Sequence, residues 1–181
     1  MTSDSRADII HAVLHLVAEK GISGVSMRNV ATEAGVSLGR VQHHFRTKEE
    51  LLEETCRALV SGAEQAYQAR SATAREQLEY AISHVIPRDS SACCGAAIWS
   101  AFVAYALVQP RIGAIITEAK RGQEAEVTRL MAQAGLEDAE ARARSLIALA
   151  DGLVQRVLTG DLSAEQAQAV VDSWTAPALS T

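Results

Sequence analysis

Apolar residues recur at helical spacing along most of the chain, and no alternation typical of strands stands out. The first helix is predicted to open at Ser5 as its N-cap and to stop at Gly21. Ser26 caps a second helix that ends at Gly35, a residue type that tolerates a left-handed backbone. Ser37 then caps a third helix. Three helices therefore occupy the amino-terminal end of the chain.

The same periodicity continues to the carboxy-terminal end. A fourth helix opens with the capping box at residues 47–50 and is predicted to run to about residue 69. Further helices are predicted at residues 74–86, 92–108, 111–134, 137–159 and 163–174. The predicted fold class is all-α, with an amino-terminal three-helix domain over residues 1–48 joined to a larger helical bundle over residues 49–181.

Composition adds little to this prediction but excludes some classes of protein. Residues 92–109 carry no charge, yet the stretch is shorter than the roughly 20 apolar residues that span a bilayer, so we expect a buried helix and no membrane segment. The three cysteines have no metal-ligand spacing, and the chain opens with polar residues instead of an apolar signal segment. We therefore expect a cytoplasmic protein without a metal or a cofactor.

Charge is distributed unevenly along the chain. The formal net charge is -5, but residues 1–48 hold six Lys/Arg against four Asp/Glu, an excess of two positive charges. The rest of the chain therefore carries a net charge of -7. This asymmetry is typical of a protein whose amino-terminal end meets an anionic polymer, although many proteins without such a partner show as much.

The second and third helices, joined by residues 33–37, have the pattern of a helix-turn-helix in which Gly35 permits the sharp turn. At 100° per residue from the inward-facing Val41, Gly39 and His43 fall at the centre of the outward side, with Arg40 and Gln42 on its flanks. A glycine there lets the backbone approach the floor of the DNA groove, while the other three side chains offer donors and acceptors to bases or phosphates.

The residues ISGVSMRNVATEAGVSLGRVQHHFRTKEELLEE, at positions 22–54, closely resemble the DNA-binding domain of the TetR family. The sequence departs from the family pattern at Gln42, where tyrosine is usual, at Ser26, where threonine is commoner, and at Val17, often phenylalanine. The resemblance implies phosphate-backbone contacts from Ser26, Arg28, Gln42, His44 and Lys48. It implies contacts on the base side from Leu38, Gly39, Arg40 and His43.

From Ile98 to Val171 the chain more loosely resembles the BetI-like carboxy-terminal domain of the same family. This resemblance implies a helical domain for ligand binding and dimerisation. In the helix at residues 137–159 the apolar side chains cover half the circumference, more than the roughly 100° that one core requires. We expect a homodimer, with a monomer in which these helices are deeply buried as the alternative. The predicted interface residues are Leu146, Leu149, Leu153, Val157, Val170 and Trp174.

Aromatic residues in the carboxy-terminal part predict where a small organic or cationic effector binds, because aromatic faces attract cations. The candidates are Tyr80, His84, Trp99, Phe102 and Tyr105. Each is also a candidate for the hydrophobic core. Cys93 and Cys94, at the head of a predicted helix, are either redox-sensitive thiols or buried small apolar residues.

These patterns together predict a TetR-type regulator of transcription, most simply a repressor that a small-molecule effector releases from a palindromic operator in double-stranded DNA. Two other functions stay open. One is an enzyme that uses His43, His44 or the cysteines, although no nucleophile–base pair or phosphate-cradling loop supports it. The other is a helical module that binds protein and has no preference for a DNA sequence.

Overall fold

The computed structural model of the protein describes residues 5–68, 73–83 and 86–179, and over these residues the fold is all-helical, as predicted. A single turn of 3-10 helix, Ile22–Gly24, lies between the first two α-helices. The α-helices are α1 (Ser5–Lys20), α2 (Met27–Glu33), α3 (Leu38–His44), α4 (Lys48–Gln68), α5 (Ala74–Ser83), α6 (Ser90–Ala106), α7 (Pro110–Gln133), α8 (Ala139–Leu158) and α9 (Ala164–Leu179).

The apolar spacing of α1 places one side of the helix in a core. Ile9, Val13 and Leu16 recur at intervals of three and four residues, and each is at most 2% exposed. Gly21 ends the helix with a φ of 66°, in the left-handed region that glycine enters without steric cost. Ser5 is the first residue of α1 and not its N-cap, because its own backbone is already helical.

The start of α4 differs in one hydrogen bond from the predicted capping box. The Thr47 hydroxyl accepts from the backbone N–H of Glu50 at 3.1 Å, as such a box requires. The Glu50 carboxylate, however, accepts from the backbone N–H of Arg46 at 2.7 Å, one residue before the N-cap. The side chain of Glu50 therefore also fixes the segment that joins α3 to α4.

Chain contacts divide the molecule into two compact units. The first comprises the chain up to Tyr67 together with Ala97–Thr117. Its core contains Phe45 and Leu52 from the amino-terminal part, and also Phe102 and Ile112 from α6 and α7, all four at most 2% exposed. This unit thus extends beyond the helix-turn-helix itself. The functional division predicted at residue 48 stays a prediction.

The second unit comprises Gln68–Ala96 and the chain from Glu118 onwards. In it α9 packs against α5 and α8. Two of its helices begin with capping boxes, one between Thr73 and Glu76 and one between Ser163 and Gln166. Hydrogen bonds from Thr73, the backbone N–H first, lower the pKa of the Glu76 carboxyl.

The charge-free stretch at residues 92–109 lies largely in α6. None of the helices described by the structure is both long and apolar enough to cross a bilayer. Within the same described residues, His, Cys, Asp and Glu form no cluster of three or more that would hold a metal ion.

Candidate nucleic-acid interface

The turn between α2 and α3 depends on Gly35, whose φ is 65°. The backbone N–H of Gly35 donates to the carbonyl of Thr32 at 3.2 Å, and that of Val36 donates to Ala31 at 3.0 Å. These two hydrogen bonds form a Schellman motif, which satisfies carbonyls at the end of α2 while the chain changes direction. The structure therefore confirms the predicted C′ glycine of the helix-turn-helix.

Both helices of the motif begin at the predicted serine caps. The Ser26 hydroxyl accepts from the backbone N–H of Asn29 at 3.1 Å, and the Asn29 amide donates to the carbonyl of Gly24 at 2.8 Å. The Ser37 hydroxyl accepts from the backbone N–H of Arg40 at 3.2 Å. Each cap satisfies a donor that the first turn of a helix leaves unpaired, so the direction of both helices is fixed locally.

The two sides of α3 differ sharply in exposure. Val41 is fully buried, and Phe45, four residues later, is 1% exposed. His44 is half-buried. The helix contains no acidic residue. Its exposed side, which we call the reading face, consists of Leu38, Gly39, Arg40, Gln42 and His43.

The fold does not require a glycine at position 39. Gly39 is not among the glycines with positive φ. A methyl group added at Gly39 would meet no protein atom nearer than the Ser37 hydroxyl oxygen, at 4.0 Å. Glycine within a helix nevertheless costs stability relative to alanine, about 0.5–1 kcal/mol. The empty space in front of Gly39 therefore lies on the outward side of α3, where an external partner can approach the backbone closely.

Three further DNA-contact candidates lie outside α3. Ser26 is half-buried and Arg28, in the first turn of α2, is exposed. The ammonium of Lys48 donates to the carbonyl of Ile22 at 3.2 Å, which anchors the side chain at the start of α4. An ammonium has three donors, so this bond leaves others for an anion.

Three contacts made by the first turn of α1 are not indicated by the sequence pattern. The Nε of Arg40 donates to the Ser5 hydroxyl at 3.0 Å. The Arg6 guanidinium lies 5.3 Å from the centroid of the Phe45 ring and forms an ion pair with Glu54. Ser5 and Arg40 are 35 residues apart, and Arg6 and Glu54 are 48 residues apart, so no local sequence pattern indicates these pairs.

The candidate effector residues are placed in different surroundings. Tyr80 is half-buried on α5 in the second unit, whereas the three α6 candidates belong to the first. Phe102 is fully buried in the core of that unit, and Trp99 and Tyr105 pack against the same core while staying partly exposed. His84 lies outside the described residues. The effector role of these residues stays a prediction.

The predicted dimer residues differ in how far the single chain buries them. Leu146 and Leu153 are 1% and 5% exposed within the single chain, because they face the core of their own protomer. A partner subunit would bury almost no further area on either of them. Leu149, Val157 and Trp174 are half-buried. Val170 on α9 is 43% exposed and is the most accessible apolar side chain of the set.

The three cysteines occupy different environments. Cys56 is fully buried, and burial raises the pKa of its thiol to about 11. Cys93 is half-buried and Cys94 exposed, both in the first turns of α6, where the Asp89 carboxylate accepts from the backbone N–H of Ala92 at 2.8 Å. Only the burial of Cys56 fits the interpretation of a cysteine as a small apolar core residue.

Two models of known families match this chain, one in its amino-terminal part and one in its carboxy-terminal part. Residues 9–55 match the model of the bacterial regulatory proteins of the tetR family. Residues 74–180 match the carboxy-terminal domain of BetI-type transcriptional repressors. The first match contains the helix-turn-helix and the reading face, and the second covers more than half of the chain.

Individual relatives match this chain over most of their own length. The HTH-type transcriptional regulator BetI of Pseudomonas paraeruginosa is 35% identical over 170 residues, which cover 86% of this chain and 83% of that protein. The crystal structure of a transcriptional regulator from Rhodococcus sp. superposes with a TM-score of 0.87 at 28% identity, covering 96% of this chain and 95% of the other.

A third relative shares the fold at lower identity. It is a transcriptional regulator of Saccharomonospora viridis, crystallised in complex with choline, with a TM-score of 0.87 at 24% identity over 97% of each chain. Membership in a family of regulators removes the support for the enzyme alternative. The helix-turn-helix geometry, the two family matches and the near-full-length relatives lead to one conclusion: the chain is a DNA-binding transcriptional repressor of the TetR family, with a BetI-type carboxy-terminal domain.

Proposed function

We propose that two copies of the chain present their reading faces to major grooves of one palindromic operator. The observation that carries this proposal is the reading face itself, an exposed side of α3 without acidic residues and with a glycine that the fold does not require. The major groove admits an α-helix, and its base edges match the donors of Arg40 and His43 and the amide of Gln42. A symmetric protein then requires a symmetric site, with half-sites one helical turn or more apart.

Selection of bound genomic fragments by the purified protein tests this function. Sequencing should recover a near-palindrome, because two identical reading faces contact the two half-sites. Fragments enriched without any internal symmetry would contradict the paired arrangement. Fragments that are not enriched over random competitor DNA would contradict DNA reading altogether and favour a module that binds protein. A repressor acts where the DNA is, so we expect a cytoplasmic protein.

The homodimer is supported by apolar surface that the single chain leaves uncovered on α8 and α9. Val170 is 43% exposed on α9, and Leu149 and Val157 are half-buried on α8. We propose that these two helices from each protomer form an isologous four-helix interface, since a two-fold interface uses the same surface on both copies.

A charge placed on this surface tests the interface. Val170→Glu should lower the sedimentation coefficient from that of a dimer to that of a monomer at micromolar concentration, because the dimer would have to bury an unpaired charge in the proposed interface. Val103→Glu is the matched control, since Val103 on α6 is 38% exposed but lies outside the proposed interface. A wild-type monomer, or a dimer that both substitutions leave intact, would contradict the proposed interface.

We propose that the effector is a small organic cation. The support is chemical: Trp99 and Tyr105 on α6 are partly exposed aromatic side chains, and the related regulator of Saccharomonospora viridis was crystallised with choline. A ligand can release the operator only if it binds more tightly to the arrangement of the dimer that does not bind DNA than to the arrangement that does.

Choline and its uncharged carbon analogue, 3,3-dimethylbutanol, test this proposal as a pair of nearly equal shape. Choline should lower the affinity for the operator, and the neutral analogue should not, since only the cation is attracted to an aromatic face. Release by both compounds would contradict recognition of charge. Release by neither, together with no heat of binding in calorimetry, would remove choline as the effector and leave DNA binding unaffected.

A further inference from the structure

The side chain of Arg40, on the reading face, is held by a residue from the opposite end of the domain's sequence. Its Nε donates to the hydroxyl of Ser5 at 3.0 Å. Ser5 is the first residue of α1, and Arg40 lies in the first turn of α3. This bond is separate from the local hydrogen bonds that build the helix-turn-helix, in which Arg40 uses its backbone N–H, at the cap formed by Ser37.

The turn that carries Ser5 is itself fixed in place. The guanidinium of the next residue, Arg6, lies 5.3 Å from the centroid of the Phe45 ring, directly after α3, and forms an ion pair with Glu54 on α4. Phe45 is 1% exposed, so this contact joins α1 to the buried side of the reading helix. These two contacts of Arg6 fix the first turn of α1, which carries Ser5, against α4 and the residue that follows α3.

The bond determines which donors of Arg40 remain for DNA. A guanidinium has five N–H donors in one plane, and the single donor on Nε is occupied by Ser5. Four donors on Nη1 and Nη2 remain, and these lie at the end of the side chain. Two terminal nitrogens side by side match the O6 and N7 acceptors of guanine in the major groove.

We propose that Ser5 is a positioning residue that orients the Arg40 guanidinium so that its two terminal nitrogens meet a guanine edge in the operator; this rests on the proposed function of α3 as the reading helix. The hydroxyl makes no contact with the base in this scheme. It restricts the rotation of a long side chain before DNA binds, so that less conformational entropy is lost on binding.

A double-mutant cycle tests the proposal, with wild type, Ser5→Ala, Arg40→Ala and the double variant measured on the selected operator and on random duplex. Ser5→Ala should lower operator affinity about 3- to 10-fold, the loss expected when one side chain must be immobilised on binding. In the Arg40→Ala background the same change should have no effect, because the residue that it positions is absent. Ser5→Thr keeps the hydroxyl and should restore most of the affinity.

Salt dependence shows whether Ser5→Ala changes the number of phosphates that the protein neutralises. The slope of affinity against salt concentration should be the same in wild type and Ser5→Ala, since no charge is lost. His11→Ala, at an exposed position on the same helix, is the control and should bind like wild type. Thermal unfolding of each variant tests whether the fold is retained.

Two results would overturn the proposal while leaving the proposed function intact. One is wild-type operator affinity in Ser5→Ala. The other is an equal loss with and without Arg40, which would mean that Ser5 acts on DNA by itself. If wild type preferred no duplex at all, the proposed function would fail, and the positioning role with it.

Discussion

Replacing Gly39 with alanine should stabilise the protein and weaken its DNA binding at the same time. The residue lies on the exposed side of α3, outside the left-handed region, and an added methyl group would find no protein atom nearer than 4.0 Å. Alanine therefore fits the free protein without strain. Any loss of DNA affinity must then come from the space that the methyl group occupies in the complex.

The two effects have opposite signs and different sizes. Alanine in place of helical glycine contributes about 0.5–1 kcal/mol to stability, with the lower value expected in a first turn. In a chain of this length that gain raises the midpoint of thermal unfolding by roughly 1–4 °C. An extra methyl group in a packed interface costs about 1–3 kcal/mol, which lowers operator affinity roughly 5- to 150-fold.

Gly62→Ala is the matched control. Gly62 is also an exposed helical glycine whose added methyl group would meet no atom within 4 Å, but it lies in α4. This variant should gain similar stability and keep wild-type DNA affinity. Calorimetry gives the unfolding midpoints, and fluorescence anisotropy with labelled operator gives the affinities. If Gly39→Ala bound the operator as tightly as wild type, close approach of DNA at Gly39 would be refuted.

The remaining predictions concern single side chains. Arg40→Ala should weaken operator binding more than binding to random duplex, whereas Lys48→Ala should weaken both and reduce the salt slope by about one; wild-type binding curves for both variants would contradict these roles. Gly35→Ala should lower the unfolding midpoint, because a φ of 65° costs a non-glycine residue about 1–2 kcal/mol, and an unchanged midpoint would contradict this. In the native protein at pH 7.5, iodoacetamide should modify exposed Cys94 but not Cys56, whose burial raises its pKa to about 11; mass spectrometry that finds Cys56 alkylated without denaturant would show that it is accessible.

Local features of the helix-turn-helix were predictable because the interactions that form them join residues close in sequence. The serine caps at Ser26 and Ser37 bond to amides three residues later, and the turn at Gly35 is closed within six residues. Each depends on a side-chain hydroxyl or a glycine at one defined position. Periodicity then separates the buried Val41 from the exposed reading face.

Contacts between distant residues were not predictable in the same way. A periodic pattern shows that one side of a helix is buried but not what covers it. For this reason the pattern assigns Leu146 and Leu153 to a partner subunit, although their own protomer already buries them. Phe102 likewise belongs to the core of the unit that contains the helix-turn-helix. The bond between Ser5 and Arg40 joins surface residues, where the pattern carries no information on partners.

Methylation interference on the selected operator tests most directly whether α3 enters the major groove in two symmetric copies. Methyl groups on guanine N7 project into that groove and block a helix there. The account predicts that methylated guanines prevent binding in two patches, related by the two-fold axis of the palindrome and one helical turn or more apart. A single patch, or binding that no methylated guanine disturbs, would contradict it.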